Sequence, residues 1–137
     1  MAAAITSALL ASSACSTRGL MFVQDHRIAI DAPRDNATVH LPFTVDFSIH
    51  ARPAGVVRYG VFLDRNPPRS GQAIPKDTDR TGIYLTAGRT VPIRYLVQST
   101  IGPSSERNRH TITVVFLDAH GHRVGESADV VQFRVRT

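Results

Sequence analysis

The 137-residue sequence holds one cysteine, one lysine and no tryptophan. A lone Cys15 closes no internal disulfide and offers no thiolate cluster to zinc. There is no G-x-S-x-G elbow, no glycine-rich phosphate loop and no dinucleotide fingerprint. The sequence signatures of α/β-hydrolases and nucleotide-binding enzymes are therefore missing. No apolar run reaches the roughly 20 residues that a membrane-spanning helix needs. No helical period of useful length appears after residue 20, and no run of four or more basic residues occurs.

What is present is a moderately apolar chain, 42% hydrophobic, of a length that suits one domain. Fifteen arginines and Lys76 against 11 acids give a formal charge of +5. Such a balance admits polyanionic partners. The arginines are scattered, however, and no aromatic RNA-binding motif accompanies them. The reading is an arginine-biased solvated surface, with no nucleic acid as partner.

Residues 3–14 read AAITSALLASSA, a short apolar segment that ends in small residues. That is the pattern of a secretory h-region and its cleavage site. The basic n-region is missing, since three alanines follow Met1. Ser12-Ser13-Ala14-Cys15, after Leu9 and Leu10, resembles a bacterial lipoprotein box. Small residues stand at 13 and 14, as that box requires. Ser12 departs from its usual aliphatic residue. The resemblance covers residues 1–15 and implies that Cys15 becomes the lipidated first mature residue. An ordinary secreted protein and a cytosolic chain with a frayed start remain as alternatives. The expected organisation is a signal peptide at 1–14, a tether at 15–25 and one domain at 26–137. The expected location is the cell envelope, lipid-anchored on the outer face of the cytoplasmic membrane or secreted.

The domain reads as alternating strands. Ile28, Ile30 and Ala32 share one face of a short strand that Pro33 ends. Phe43, Val45, Phe47 and Ile49 point inward, while Thr44, Asp46, Ser48 and His50 point outward. Val57, Tyr59, Val61 and Leu63 form another face. Two short strands flank Ala87-Gly88, with Pro92 marking an edge. A strong strand follows in HTITVVFLD. Asp118-Ala119-His120-Gly121 is a tight turn, with Gly121 suited to the left-handed conformation. Val131, Phe133 and Val135 face inward in the last strand. About seven short strands separated by turns predict an all-β, antiparallel sandwich.

The opening IAIDAPRDNATVHLPFTVDFSI resembles the first two strands of the Ig-like and fibronectin-III-like domains of bacterial envelope proteins. The resemblance covers the chain from about residue 26. It is closest to small secreted domains with no assigned activity, some with a loop similar to SGQAIP at 70–75. It implies the fold and is nearly silent on function. The antibody hallmarks, a tryptophan and paired cysteines, are absent.

Three candidate sites follow. The long 65–82 segment carries Arg65, Arg69, Lys76 and Arg80, and arginine forks suit carboxylates and phosphates. It is the candidate ligand loop, with an envelope protein or an anionic polymer as partner. A short edge strand is expected at Gln72–Ile74. His120 and His122 form an H-x-H pair, which falls short of the three or four ligands of a copper or zinc site. The tetrapeptide VFLD occurs at 61–64 and 115–118. Its two copies are expected on neighbouring strands, with the aspartates capping turns. A duplicated ligand site with Asp64 beside Asp118 is the alternative. The leading function is a non-catalytic envelope module for protein interaction or structural support, with no cofactor. A periplasmic-type copper or zinc carrier and a small enzyme are the alternatives.

Overall fold

The computed structural model describes residues 23–24, 26–75, 81–96 and 108–136. The expected leader, Cys15 and most of the tether lie outside the described residues. Among the described residues there are nine strand segments: β1 (Val23–Gln24), β2 (Ile28–Ala32), β3 (Thr38–His40), β4 (Phe43–Ile49), β5 (Arg58–Leu63), β6 (Ile83–Thr86), β7 (Thr90–Ile93), β8 (Arg109–Leu117) and β9 (Arg123–Arg136). They build two sheets and no described helix. The large sheet runs β1-β9-β8-β5-β6, with β3 also on β9, and the small sheet runs β2-β4-β7. Pairing begins at Val23, ahead of the expected domain start at residue 26.

The count exceeds seven because β1 adds a short pairing to β9 and because the chain changes sheets between β2 and β3. β2 pairs antiparallel with β4. The turn at Asp35-Asn36 then carries the chain across, with Asn36 at φ 61° and the Ala37 N–H on the Arg34 carbonyl at 3.0 Å. β3 emerges parallel to β9. Aspartates fill missing rungs at this crossing. Ile30 N–H donates to Asp129 Oδ2 at 2.7 Å, and Gln132 N–H donates to Asp35 Oδ1 at 2.9 Å. Buried backbone donors need such partners wherever the ladder is interrupted.

Between the sheets lies the main core, fed by period-two side chains. Val45, Phe47, Tyr59, Val61, Leu63, Ile112, Val114, Phe116, Phe133 and Val135 are buried there. Phe47 meets Tyr59 edge-on at 5.2 Å, and Phe43 meets Phe133 likewise. The Tyr59 hydroxyl is satisfied by Arg52 Nη2 at 2.8 Å. Val57 departs from expectation: it is 48% exposed, because β5 starts at Arg58 and Val56 takes the buried place.

A second core lies on the outer face of the large sheet. Phe62, Ile83, Val115, Leu117 and Ala128 are buried there under Ile74. Half of that face is thus dry, which explains why β5 and β8 read as nearly continuous apolar runs. Gly60 permits the close approach of the covering segment. A Cβ at that position would sit 3.2 Å from Ile74 Cδ1.

Candidate functional site

The covering segment is the described part of the predicted ligand loop, residues 65–75. It runs back from the end of β5 to the β8–β9 hairpin as a strap. The Gly71 N–H donates to the Arg123 carbonyl at 2.7 Å, and the Arg123 N–H donates to the Gln72 carbonyl at 3.0 Å. Ile74 N–H reaches the Gly121 carbonyl at 2.9 Å, and Ala73 forms an antiparallel bridge with His122. The expected edge strand at Gln72–Ile74 is therefore this single bridge.

Arg123 fastens the strap. Its side chain is fully buried, with Nη1 donating to the Pro68 carbonyl at 2.7 Å and Nη2 to the Glu126 carbonyl at 3.0 Å. Glu126 Oε2 stands 3.7 Å from Nη2, and Glu126 Oε1 accepts the Ser70 N–H at 3.1 Å. Burial lowers the Arg123 pKa, against the attraction of Glu126. An arginine, with five donors in a planar fork, can bind carbonyls from two segments at once. Sequence reading passed Arg123 over, since it sits in a polar hairpin with nothing to mark it as interior.

Of the candidate ligand residues, Arg65 and Arg69 are exposed on the strap. Lys76 and Arg80 lie outside the described residues, as does Cys15. His120 and His122 occupy the hairpin tip, with ring centroids 6.2 Å apart. Both of their backbone N–H groups donate to Asp118 Oδ1, at 2.9 and 2.8 Å. The His122 backbone bond is the chief cause that holds the Asp118 pKa below the usual aspartate value. Asp118 thus caps its own turn, and Gly121 sits at φ 80° as expected. Among the described residues, no three His, Cys, Asp or Glu side chains gather so as to hold a metal ion.

The two VFLD copies do fall on neighbouring strands. Their aspartates, however, are at opposite ends of the pair. β5 and β8 run antiparallel, with Val61 opposite Val114 and Arg58 opposite Leu117. The side-by-side alternative is thereby overturned. Asp64 braces another strand instead of its own turn. Its Oδ2 lies 2.7 Å from His110 Nδ1, and its Oδ1 accepts the Thr111 N–H at 2.9 Å. His110 is buried against Phe133.

A groove of about 350 Å³ opens between β6 and β7, lined by Tyr84, Thr86, Thr90, Val91, Pro92 and Arg94 among others. It shares no residue with the Asp64–His110 pair. Pro92 stands opposite Thr44 on β7, an edge strand of the small sheet.

Among the described residues, nothing covers the large sheet's outer face at the start of β8 and the end of β9. Arg109 of β8 stands directly opposite Arg134 of β9, and His40 of β3 stands opposite Arg136. All four are exposed. No carboxylate among the described residues forms an ion pair with Arg109, Arg134 or Arg136. Sequence reading missed this cluster. The alternating FRVR at 133–136 carried half of the signal, but the β8 partner is visible only through the register.

No helix among the described residues is long and apolar enough to cross a membrane. No protein-family model matches the chain, and no curated protein matches it. Among solved structures, the chain is similar to the fibronectin(III)-like modules of Clostridium thermocellum CbhA. The identity is 14%, over 80% of this chain and 95% of that one, with a TM-score of 0.38.

Proposed function

We propose that this chain is a non-catalytic interaction or support module of the cell envelope, exported by its leader and acylated on Cys15. The observation that carries the binding role is the strap. Residues 65–75 are bolted to the sheet by Arg123, Glu126 and the Ala73–His122 bridge, while Arg65 and Arg69 stay exposed. Cations displayed on a rigid backbone lose little backbone freedom when they bind, so that only the side chains remain to be ordered. Guanidinium forks at these positions suit the carboxylates or phosphates of an envelope partner. Ig-like sandwiches use their loops in this way, on a scaffold that stays fixed.

The test is co-sedimentation of the purified full chain with envelope fractions. Wild type pellets with them, and an Arg65→Gln, Arg69→Gln double variant loses at least half of that binding with an unchanged melting temperature. Equal pelleting of both proteins removes the strap from the reading. In cells, Cys15→Ser releases the protein from membranes, and the intact mass of the wild type shows a diacylglycerol adduct beginning at Cys15. A mature N-terminus elsewhere without lipid overturns the anchor.

A further inference from the structure

We propose that the bare quadrant of the large sheet's outer face binds an acidic polysaccharide through Arg109, Arg134 and Arg136. The proposal rests on the reading of the chain as a binding module, and it names a partner for a face that the strap leaves open.

The first argument is electrostatic. Arg109 and Arg134 are registered partners on adjacent antiparallel strands, so their side chains leave the sheet on the same face. Like charges set directly opposite each other destabilise a ladder. Arg136 adds a third guanidinium two residues along β9, about 7 Å away. His40 lies beside it on β3. Among the described residues, Asp35 and Asp64 border the quadrant, and neither forms an ion pair with the three arginines. Asp35 accepts the Gln132 N–H, and Asp64 accepts the Thr111 N–H and meets His110. A fold that keeps three arginines together without a described counter-ion is complementary to an external anion.

The second argument is shape and neighbouring chemistry. The site is a sheet face spanning three strands, β3, β9 and β8, so an extended chain can lie across it. Thr38, Thr111 and Gln132 stand among the arginines on the same face. Their hydroxyls and amide suit the hydroxyl groups of sugar units, and the guanidinium forks suit uronate carboxylates. Of the broadly exposed large hydrophobic residues, Leu41 adjoins the quadrant just after His40, whereas Val57 and Tyr95 lie on none of its strands. Among the described residues it thus offers no exposed aromatic ring on which unpaired bases could stack, and one leucine at its edge is little for a bilayer to take up.

Affinity titration of the full chain against polygalacturonate at low salt, with neutral dextran as reference, tests this. Wild type binds polygalacturonate and not dextran, and its affinity falls with added salt. Arg109→Gln, Arg134→Gln, Arg136→Gln together weaken binding at least tenfold. Arg58→Gln, an exposed arginine at the far end of β5, changes it less than twofold. The single Arg109→Gln or Arg134→Gln change also raises the melting temperature by about 1–4 °C, because a like-charge pair is removed. The proposal is overturned if the triple variant binds as wild type does. Equal binding of dextran overturns it too, as does tighter binding to a DNA duplex or to phosphatidylglycerol vesicles than to polygalacturonate. Wild-type pelleting with envelopes alongside unaltered polygalacturonate binding by the triple variant sinks this face alone. Failure of wild type to pellet sinks the module reading beneath it.

Discussion

The Asp64 carboxylate reaches across to His110, Oδ2 to Nδ1 at 2.7 Å, and so ties the end of β5 to the start of β8. The same carboxylate takes the Thr111 N–H through its other oxygen. Asp64 itself sits at φ 55°, a conformation that aspartate and asparagine tolerate better than most residues. The strap begins at the next residue, so this corner sets the direction in which the covering segment departs.

Asp64→Ala should lower unfolding stability by about 2–3 kcal/mol, since it strands the Thr111 N–H and the buried His110 ring and places alanine at positive φ. Asp64→Asn should cost less, because it keeps the backbone preference and one acceptor. Urea denaturation of the two variants measures the difference. Equal losses would rule out the backbone conformation as the cause and place the effect in the carboxylate's contacts with His110 and Thr111.

Arg123→Ala should cost about 2–3 kcal/mol, because the part-buried carbonyls of Pro68 and Glu126 lose their donors and the buried side chain leaves a void. Arg123→Lys should recover only part of this, since an ammonium lacks the planar fork that reaches both carbonyls. Limited proteolysis gives an independent reading: cleavage within 65–75 should accelerate well before global unfolding.

Gly82→Ala should be among the most damaging single changes. A Cβ there would stand 2.6 Å from the Leu63 carbonyl oxygen, and the residue holds φ +74°. Backbone cannot yield there, because the Leu63 N–H bonds the Gly82 carbonyl at 2.7 Å. A loss of more than about 2 kcal/mol is expected from strain and clash together. Thermal denaturation provides the check, with Ala51→Gly at an exposed site as the mild comparison.

The lowered pKa of Asp118 gives the hairpin an acid dependence. Its folded-state pKa lies below the unfolded value. The capping contribution is therefore complete above the ordinary aspartate range, and it is lost as pH falls through the depressed value. The carboxyl carbon shift of Asp118, followed by NMR, should hold its ionised value down to about pH 4 and move only below it. Asp118→Asn should abolish that acid transition.

The amino-acid order alone determined the all-β class, most inward faces and the turns. Alternation in Phe43–Ile49 and Val131–Val135 has one physical cause, a strand with one dry face, and needs no partner to be read. Asp35-Asn36 and Asp118–Gly121 are local chemistry, legible for the same reason. Which strand lies beside which was decided only in three dimensions. That decision moved the chain to the other sheet between β2 and β3, sent Asp64 and Asp118 to opposite ends, and set Arg109 against Arg134. It also buried Arg123 under a strap that reads as a solvated loop. Each of these depends on contacts between residues far apart in the chain. Period and turn chemistry report a residue's own backbone conformation, whereas register and burial of a charge depend on what another segment brings to it.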